Sequence, residues 1–203
     1  MVPFGSAAPA MGTNPIAFAF PSSGAAPVVV DFATSEATWG ALVAAAAAGE
    51  RIPASWALDA DGEPTEDPAA AMAARRLLPF GRHKGSALAV AVELLTGALA
   101  GASTLSAVAD MYAEPDRPNG LGLFFLALDP RAIGAAGAGL AEAVHAVQQE
   151  LNALPATPEA GRVLWPGQLE AERAAERRDR GIPLPPAVAA ELEALARAEG
   201  VDL

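Results

Sequence analysis

The sequence changes character part-way along, and that change limits the folds open to it. Runs with strand character occur only in the first two-thirds: Ile16–Phe20 (IAFAF), Val28–Phe32 (VVVDF) and Leu121–Leu128 (LGLFFLAL). Beyond them every patterned stretch has helical character, divided by Pro and Gly breakers. The chain therefore reads as α/β with a helical carboxyl-terminal region. Pro21–Gly24 supplies turn chemistry between the first two runs, which suits adjacent antiparallel strands. LGLFFLAL, apolar at every side-chain-bearing position, reads as a buried strand closed by Asp129-Pro130.

Six helices are predicted. One starts behind the hydroxyls of Thr34 and Ser35, runs over 36–48 and stops at Gly49. A short one lies within 68–78, with Pro68 at its first position. A long apolar one covers 86–101, and Glu93 is its only charge. That stretch falls short of the roughly 20 apolar residues of a membrane span, and a mid-span glutamate is costly, so it reads as a buried helix. An amphipathic helix is expected over 140–154, after a flexible linker at 134–139. A charged helix over 168–180 carries Glu176 and Arg180 at i,i+4, and a last helix over 187–198 brings the count to six with it.

Charge and composition remove several functions. With 13 Lys+Arg against 24 Asp+Glu the net charge is −11, which argues against nucleic acid, whose phosphates need clustered cations. There is no cysteine, so disulfides, thiolate nucleophiles and cysteine metal sites are excluded. The two histidines, His83 and His145, stand in no cluster with metal-ligand spacing, and no metal site is expected. The amino terminus lacks the basic start and apolar stretch of a signal peptide, so a soluble, cytoplasmic protein is expected. Basic residues are arginine throughout except Lys84, the single lysine.

Three junctions feed a helix amino terminus with small residues and a polar group nearby, an arrangement suited to anions. At Asp31-Phe32-Ala33-Thr34-Ser35 an acid ends a strand, either to accept from a ribose or an amide, or simply as a solvated acid beside a cap. At Gly81–Gly85 Lys84 adds a charge to the helix dipole, for a phosphate or carboxylate, or is an ordinary surface lysine. At Trp165-Pro166-Gly167-Gln168 the glycine permits backbone contact with a ligand or merely forms a turn. Neither a Walker loop nor a strand-borne GxGxxG is present, and no GxSxG or Ser/His/Asp set stands out. His145, mid-helix, reads as a packing or surface residue.

Five segments in order give these junctions a context: MGTNPIAF at 11–18, DFATS at 31–35, WALDADG at 56–62, LLPFGRHKG at 77–85 and WPGQ at 165–168. Together they resemble the malate/L-lactate dehydrogenase family over essentially the whole chain. The resemblance implies a non-Rossmann, sulfolactate-dehydrogenase-like fold: a largely antiparallel sheet with flanking helices, followed by carboxyl-terminal helices. It implies a cofactor-binding α/β domain at 1–136 and a helical region at 137–203 that packs with an amino-terminal lobe. It also implies NAD or NADP as cofactor, a small 2-hydroxy or 2-oxo acid as substrate and a homodimer. Cofactor contacts fall on Asp31, Phe32, Ala33, Asp59, His83, Lys84, Gly167 and Gln168, and Thr13 and Asn14 border the substrate. WALD, the 111–130 stretch and WPGQ lean toward ureidoglycolate dehydrogenases, while SALAVAVELL also fits the cyclic-imine (piperideine- and pyrroline-2-carboxylate) reductases. Arg82, where the family usually has glycine, and Leu169, where a polar residue often follows, are departures.

Family members run well beyond this length, and their catalytic histidine belongs to an amino-terminal part that is expected to be missing here. No residue of this sequence takes its place, and a proton donor is needed at the hydride-accepting carbon. A chain of these 203 residues alone is expected to turn over little substrate. The competing expectation is a non-catalytic remnant or dimerisation module of the same fold.

Overall fold

The computed structural model describes residues 1–111, 113–134 and 139–201. Tyr112, positions 135–138 of the expected linker and the 136/137 domain boundary lie outside the described residues. The chain forms two compact units, Met1–Ala19 with Val30–Ala138 and Phe20–Val29 with Gly139–Leu203. Strands β1 (Ile16–Phe20) and β2 (Val28–Phe32) pair with each other, as their flanking turn suggested. Among the described residues strand content is small and helix predominates.

The first unit is built on α1 (Trp39–Ala48), β3 (Ala57–Leu58), α2 (Pro68–Ala74) and β4 (Arg76–Leu77). Leu42, Ile52, Ala57, Ala71 and Leu77 form its buried core, with Ala45, Trp56 and Met72 packed against them. β3 and β4 run antiparallel, pairing Ala57 with Leu77 and Leu58 with Arg76. Leu42 is completely buried, a burial worth about 1.5–3 kcal/mol.

In the first two helices a boundary differs from the sequence reading because backbone pairing takes precedence. α1 begins at Trp39, capped by Thr38, whose Oγ1 accepts from the N–H of Ala41 at 3.2 Å. Ser35 instead forms a β-bridge with Pro79, and Glu36 N–H donates to Leu78 O at 2.8 Å, so residues 35–36 are bound to the 78–79 backbone and do not enter the helix. α2 stops at Ala74 because Arg75 turns to φ +56° and hands the chain to β4.

The long apolar helix starts earlier than expected, as α3 (His83–Glu93), and continues into a π-helical turn at Leu94–Ala98. A short 3₁₀ turn follows at Leu105–Ala107, then α4 (Pro130–Ile133), capped by Asp129. The predicted buried strand at 121–128 is corrected. Those residues take no regular strand structure, and their large side chains are exposed, Phe125 to 86%. An apolar run needs a ladder partner to become a strand, and no other described segment hydrogen-bonds to its backbone.

The second unit holds α5 (Leu140–Ala153), α6 (Gln168–Arg180) and α7 (Pro186–Glu199), within a residue or so of the predicted spans. Phe20–Val29 belongs with them because its backbone is bonded to α5. Ser23 N–H donates to Ala141 O at 3.1 Å, and the buried Gln148 accepts from Ser22 Oγ at 2.6 Å and donates to Ala26 O at 2.8 Å. His145 packs beneath Gly24, where a Cβ would approach its ring to 2.6 Å. Glu176 and Arg180 pair at 3.2 Å as their spacing predicted.

Candidate functional site

Three of the five sequence segments are stitched together in the first unit by one relay of backbone bonds. The carbonyl of Thr13, in MGTNP, accepts both the N–H of Thr34 at 2.8 Å and its Oγ1 at 2.7 Å. Thr34 O then accepts from Phe80 N–H at 3.1 Å, and Phe80 O accepts from Gly85 N–H at 3.0 Å. Thr34 is fully buried. Its hydroxyl, expected to cap a helix, instead locks DFATS onto MGTNP.

Gly85 is what permits the close approach. A Cβ at that position would lie 2.3 Å from Phe80 O, 2.9 Å from Phe80 N and 3.0 Å from Thr34 O. The backbone of α3 therefore rests directly on the two segments before it. Phe32 and Phe80 meet edge to face across the junction, with ring centroids 5.7 Å apart.

Around this scaffold the predicted residues of the first unit take distinct places. Asp31 and Phe32 end β2 and are both exposed, on opposite faces of the strand, and Ala33 beyond them is half-buried. Lys84 is exposed on the first turn of α3, and among the described residues no carboxylate pairs with it. His83 is exposed and stacks edge-on against Phe4 at 5.9 Å, while the guanidinium of Arg82 lies 5.4 Å from the same ring. The start of α3, expected to suit anions, offers them few free backbone N–H groups. Lys84, Gly85 and Ser86 donate to the carbonyls of Gly81, Phe80 and Arg82.

Arg82 sits at φ +58°, ψ −114°, a region that L-residues enter only under strain. Such a backbone favours glycine, the residue that the resemblance led one to expect at this position. Asn14 also has positive φ, +35°, which asparagine tolerates better than most residues.

Asn14 reveals a partner that the sequence reading left without a role. Its Nδ2 donates to Ala89 O at 2.9 Å and to Glu93 Oε2 at 2.7 Å. The other oxygen of Glu93 accepts the N–H of Leu105 at 2.6 Å. A lone carboxylate in an otherwise apolar helix was the signal, and it clamps MGTNP to α3 and to the 3₁₀ turn.

Asp59 is given a local task. Its Oδ1 accepts the N–H groups of Asp61 at 2.9 Å and Glu63 at 3.0 Å, closing the turn after β3. No hydrogen bond among the described residues joins it to the Thr13–Thr34–Phe80 relay. A cavity of about 680 Å³ opens between the end of α1 and the start of α2, lined by Glu50, Arg51 and Glu66 among others. It includes none of the predicted site residues.

Gly167 and Gln168 lie in the second unit. Gly167 at φ +90° packs onto Val29, whose backbone a Cβ would meet at 3.1 Å, and Val29 N–H donates to Pro166 O at 3.0 Å. Gln168 accepts from Trp165 N–H at 3.2 Å and donates to Glu172 at 3.0 Å. Glu172 is also paired with Arg162 at 2.6 Å, and that hydrogen bond first, with Gln168's second, holds its carboxyl below the ordinary value. This segment thus anchors a strand end and opens α6.

The comparisons with known proteins cover all five of these segments. The model of the malate/L-lactate dehydrogenase family matches residues 1–193. The chain belongs to the malate/L-lactate dehydrogenase family. Among its family relatives, a Delta(1)-pyrroline-2-carboxylate reductase of Ancylobacter novellus is 40% identical over 195 residues, covering 96% of this chain and 55% of that protein. A (2R)-3-sulfolactate dehydrogenase (NADP(+)) of Chromohalobacter salexigens is 41% identical over 199 residues, covering 97% and 56%. Malate dehydrogenase from Entamoeba histolytica superposes with a TM-score of 0.89 at 26% identity, over 100% of this chain and 59% of that one. Sulfolactate dehydrogenase from Methanocaldococcus jannaschii does so at 0.82 and 32%, over 100% and 57%. These family folds bear out the sulfolactate-dehydrogenase-like expectation. The chain spans little more than half the length of the family members it matches.

Proposed function

We propose that this chain forms the nicotinamide-binding portion of an oxidoreductase. In that reading it holds NAD or NADP for hydride exchange with a small carboxylate whose neighbouring carbon is a ketone or a secondary alcohol. The observation that carries the reading is the bonded junction of MGTNP, DFATS and FGRHKG, with one uncommitted cation, Lys84, on the helix that rests on it.

The residues around the junction fit such a cofactor chemically. Lys84 offers a point charge to a phosphate. Asp31, exposed at the strand end, offers acceptors to ribose hydroxyls. Phe32 and Ala33 offer flat and small apolar surface to a ring. His83, Asp59, Gly167 and Gln168 are further proposed contacts, and Thr13 and Asn14 are proposed on the substrate side. The bound cofactor supplies the hydride, while the chain's own part is to bind and orient. No residue here is assigned the proton transfer.

A second reading keeps the same site and changes the acceptor to a cyclic imine bearing a carboxylate. The 40% identity to the Ancylobacter reductase supports it. Both readings are tested first by binding. Titration of the 203-residue chain into NADH and NADPH, followed by nicotinamide fluorescence, is expected to give saturable binding of one or both. Lys84→Ala is expected to weaken it about tenfold, the loss of roughly 1.4 kcal/mol of charge-assisted contact. Absence of binding to both cofactors overturns the proposal.

A further inference from the structure

The side-chain amide of Asn14 is turned one way, and that turn leaves an acceptor free. Its Nδ2 spends both protons, on Ala89 O at 2.9 Å and on Glu93 Oε2 at 2.7 Å. The opposite orientation would set Oδ1 against those two oxygens, so the partners themselves tell nitrogen from oxygen. Oδ1 accepts from no group among the described residues. Asn14 is half-buried, and among the described residues the one buried side-chain polar atom without a partner is His145 Nδ1. The free oxygen of Asn14 therefore opens to solvent. Beside it stands a glycine, Gly12, where a Cβ would lie 3.1 Å from Oδ1, so bare backbone leaves the approach clear.

Glu93 holds this arrangement in place. Its Oε1 accepts Leu105 N–H at 2.6 Å, so the carboxylate is tied at both oxygens and cannot follow the amide if it turns. A bond to a carboxylate is stronger than one to a neutral acceptor, and it polarises the amide so that Oδ1 accepts better. Directly after Glu93 the helix widens into the π-helical turn at Leu94–Ala98, a feature frequent at functional sites. The residue before Asn14 is also bound to the junction, since Thr13 O accepts both groups of Thr34, which follows Phe32 and Ala33 in the chain.

We propose that Asn14 Oδ1 accepts the carboxamide N–H of the nicotinamide, and that Glu93 is the positioning residue that keeps this oxygen turned outward. The inference rests on the cofactor reading, in which Phe32 and Ala33 offer their surface to a ring. The reduced nicotinamide ring carries one donor group, its carboxamide NH₂, and the Thr13–Thr34 bonds set the free acceptor of Asn14 beside that surface. The nicotinamide is the end of the cofactor that faces the substrate, so Asn14 keeps its place at the substrate border. An acceptor fixed on the bonded frame sets which way the carboxamide points, and with it which face of the ring turns outward.

The test compares NADH and NADPH with their reduced 3-acetylpyridine analogues, which keep the carbonyl and replace NH₂ by methyl. Isothermal titration calorimetry on the 203-residue chain gives the affinity ratio. The parent cofactor is expected to bind about tenfold tighter than its analogue. Asn14→Gly suits the positive φ and removes the amide, and it is expected to abolish the preference. Glu93→Gln sets an NH₂ against a donor, either Asn14 Nδ2 or Leu105 N–H. It lets Asn14 turn its nitrogen outward to the carbonyl that both ligands share, and is expected to cut the preference below about threefold. General loosening of the fold weakens both ligands alike, so the ratio reads the hydrogen bond. Equal binding of parent and analogue by the unmodified chain, a measurement that needs no variant, overturns the proposal. So does a preference that survives in Asn14→Gly, or one undiminished in Glu93→Gln. Binding of neither parent cofactor overturns the cofactor reading itself, and this inference falls with it.

Discussion

Replacing Gly85 by alanine isolates the contact on which the junction rests. Its added methyl group would stand 2.3 Å from Phe80 O and 3.0 Å from Thr34 O, and neither backbone oxygen can swing aside as a side chain would. Separating them stretches the Gly85–Phe80 and Phe80–Thr34 bonds, each worth about 0.5–1.5 kcal/mol. Forcing a methyl into packed surroundings adds about 1–3 kcal/mol, and alanine's better helix propensity returns up to about 1 kcal/mol. The net expectation is a loss of about 1–6 kcal/mol. For a chain of this size that corresponds to a melting temperature lower by about 2–24 °C.

Differential scanning calorimetry measures the shift, and Gly40→Ala provides the control. Gly40 is also helical, but a Cβ there meets nothing closer than 3.9 Å, so alanine is expected to be neutral or stabilising by up to about 1 kcal/mol. A Gly85→Ala chain that melts at or above the wild-type temperature would refute the argument that α3 rests directly on DFATS and LLPF. NADH titration of the same pair separates stability from binding: Gly85→Ala is expected to weaken binding and Gly40→Ala to leave it alone.

Three further expectations follow from single contacts. Arg82→Gly relieves a backbone at φ +58°, ψ −114° and removes one exposed cation–π contact. It is expected to stabilise by about 1 kcal/mol, and a lower midpoint in urea would contradict the strain. Glu93→Gln places an amide where both carboxylate oxygens accept, from Asn14 and from Leu105. It is expected to cost about 1–3 kcal/mol by chemical denaturation, and an unchanged midpoint would show the clamp to be idle. For Glu172, whose folded carboxyl is held below its ordinary value by Arg162 and then Gln168, any stabilisation is present above the ordinary carboxylate range. It is lost as pH falls through the folded value. Arg162→Ala is expected to raise the Glu172 titration midpoint in carboxyl-carbon NMR, and an unmoved midpoint would exclude the pair.

Local sequence was enough for elements whose partners lie nearby. β1 and β2 have their turn between them, and α6 carries its own breakers and its i,i+4 pair, so both were legible residue by residue. Boundaries failed where a distant segment claimed the backbone. Thr34 has the chemistry of a cap, yet Thr13 O and Phe80 N–H take its groups, and the helix begins four residues after Ser35. Lys84 and Asp31 stood out by composition and by strand position. Glu93 did not acquire a role until Asn14 and Leu105 were seen at its two oxygens.

The run at 121–128 shows the division between sequence and tertiary structure most plainly. Its amino acids determine that it is suited to a buried strand, because apolar side chains on both faces exclude water from both. Only the tertiary structure decides that this chain leaves it exposed, since a strand exists through its neighbour's hydrogen bonds and none of the described segments provides them. In the same way the five segments and their order determined the family, local physics of caps and turns determined most helices, and the folded chain alone decided which motifs touch. Backbone contact is a property of three-dimensional packing, and Gly85, one of the two glycines that flank the Lys84 segment, becomes the point where α3 rests on Phe80 and Thr34.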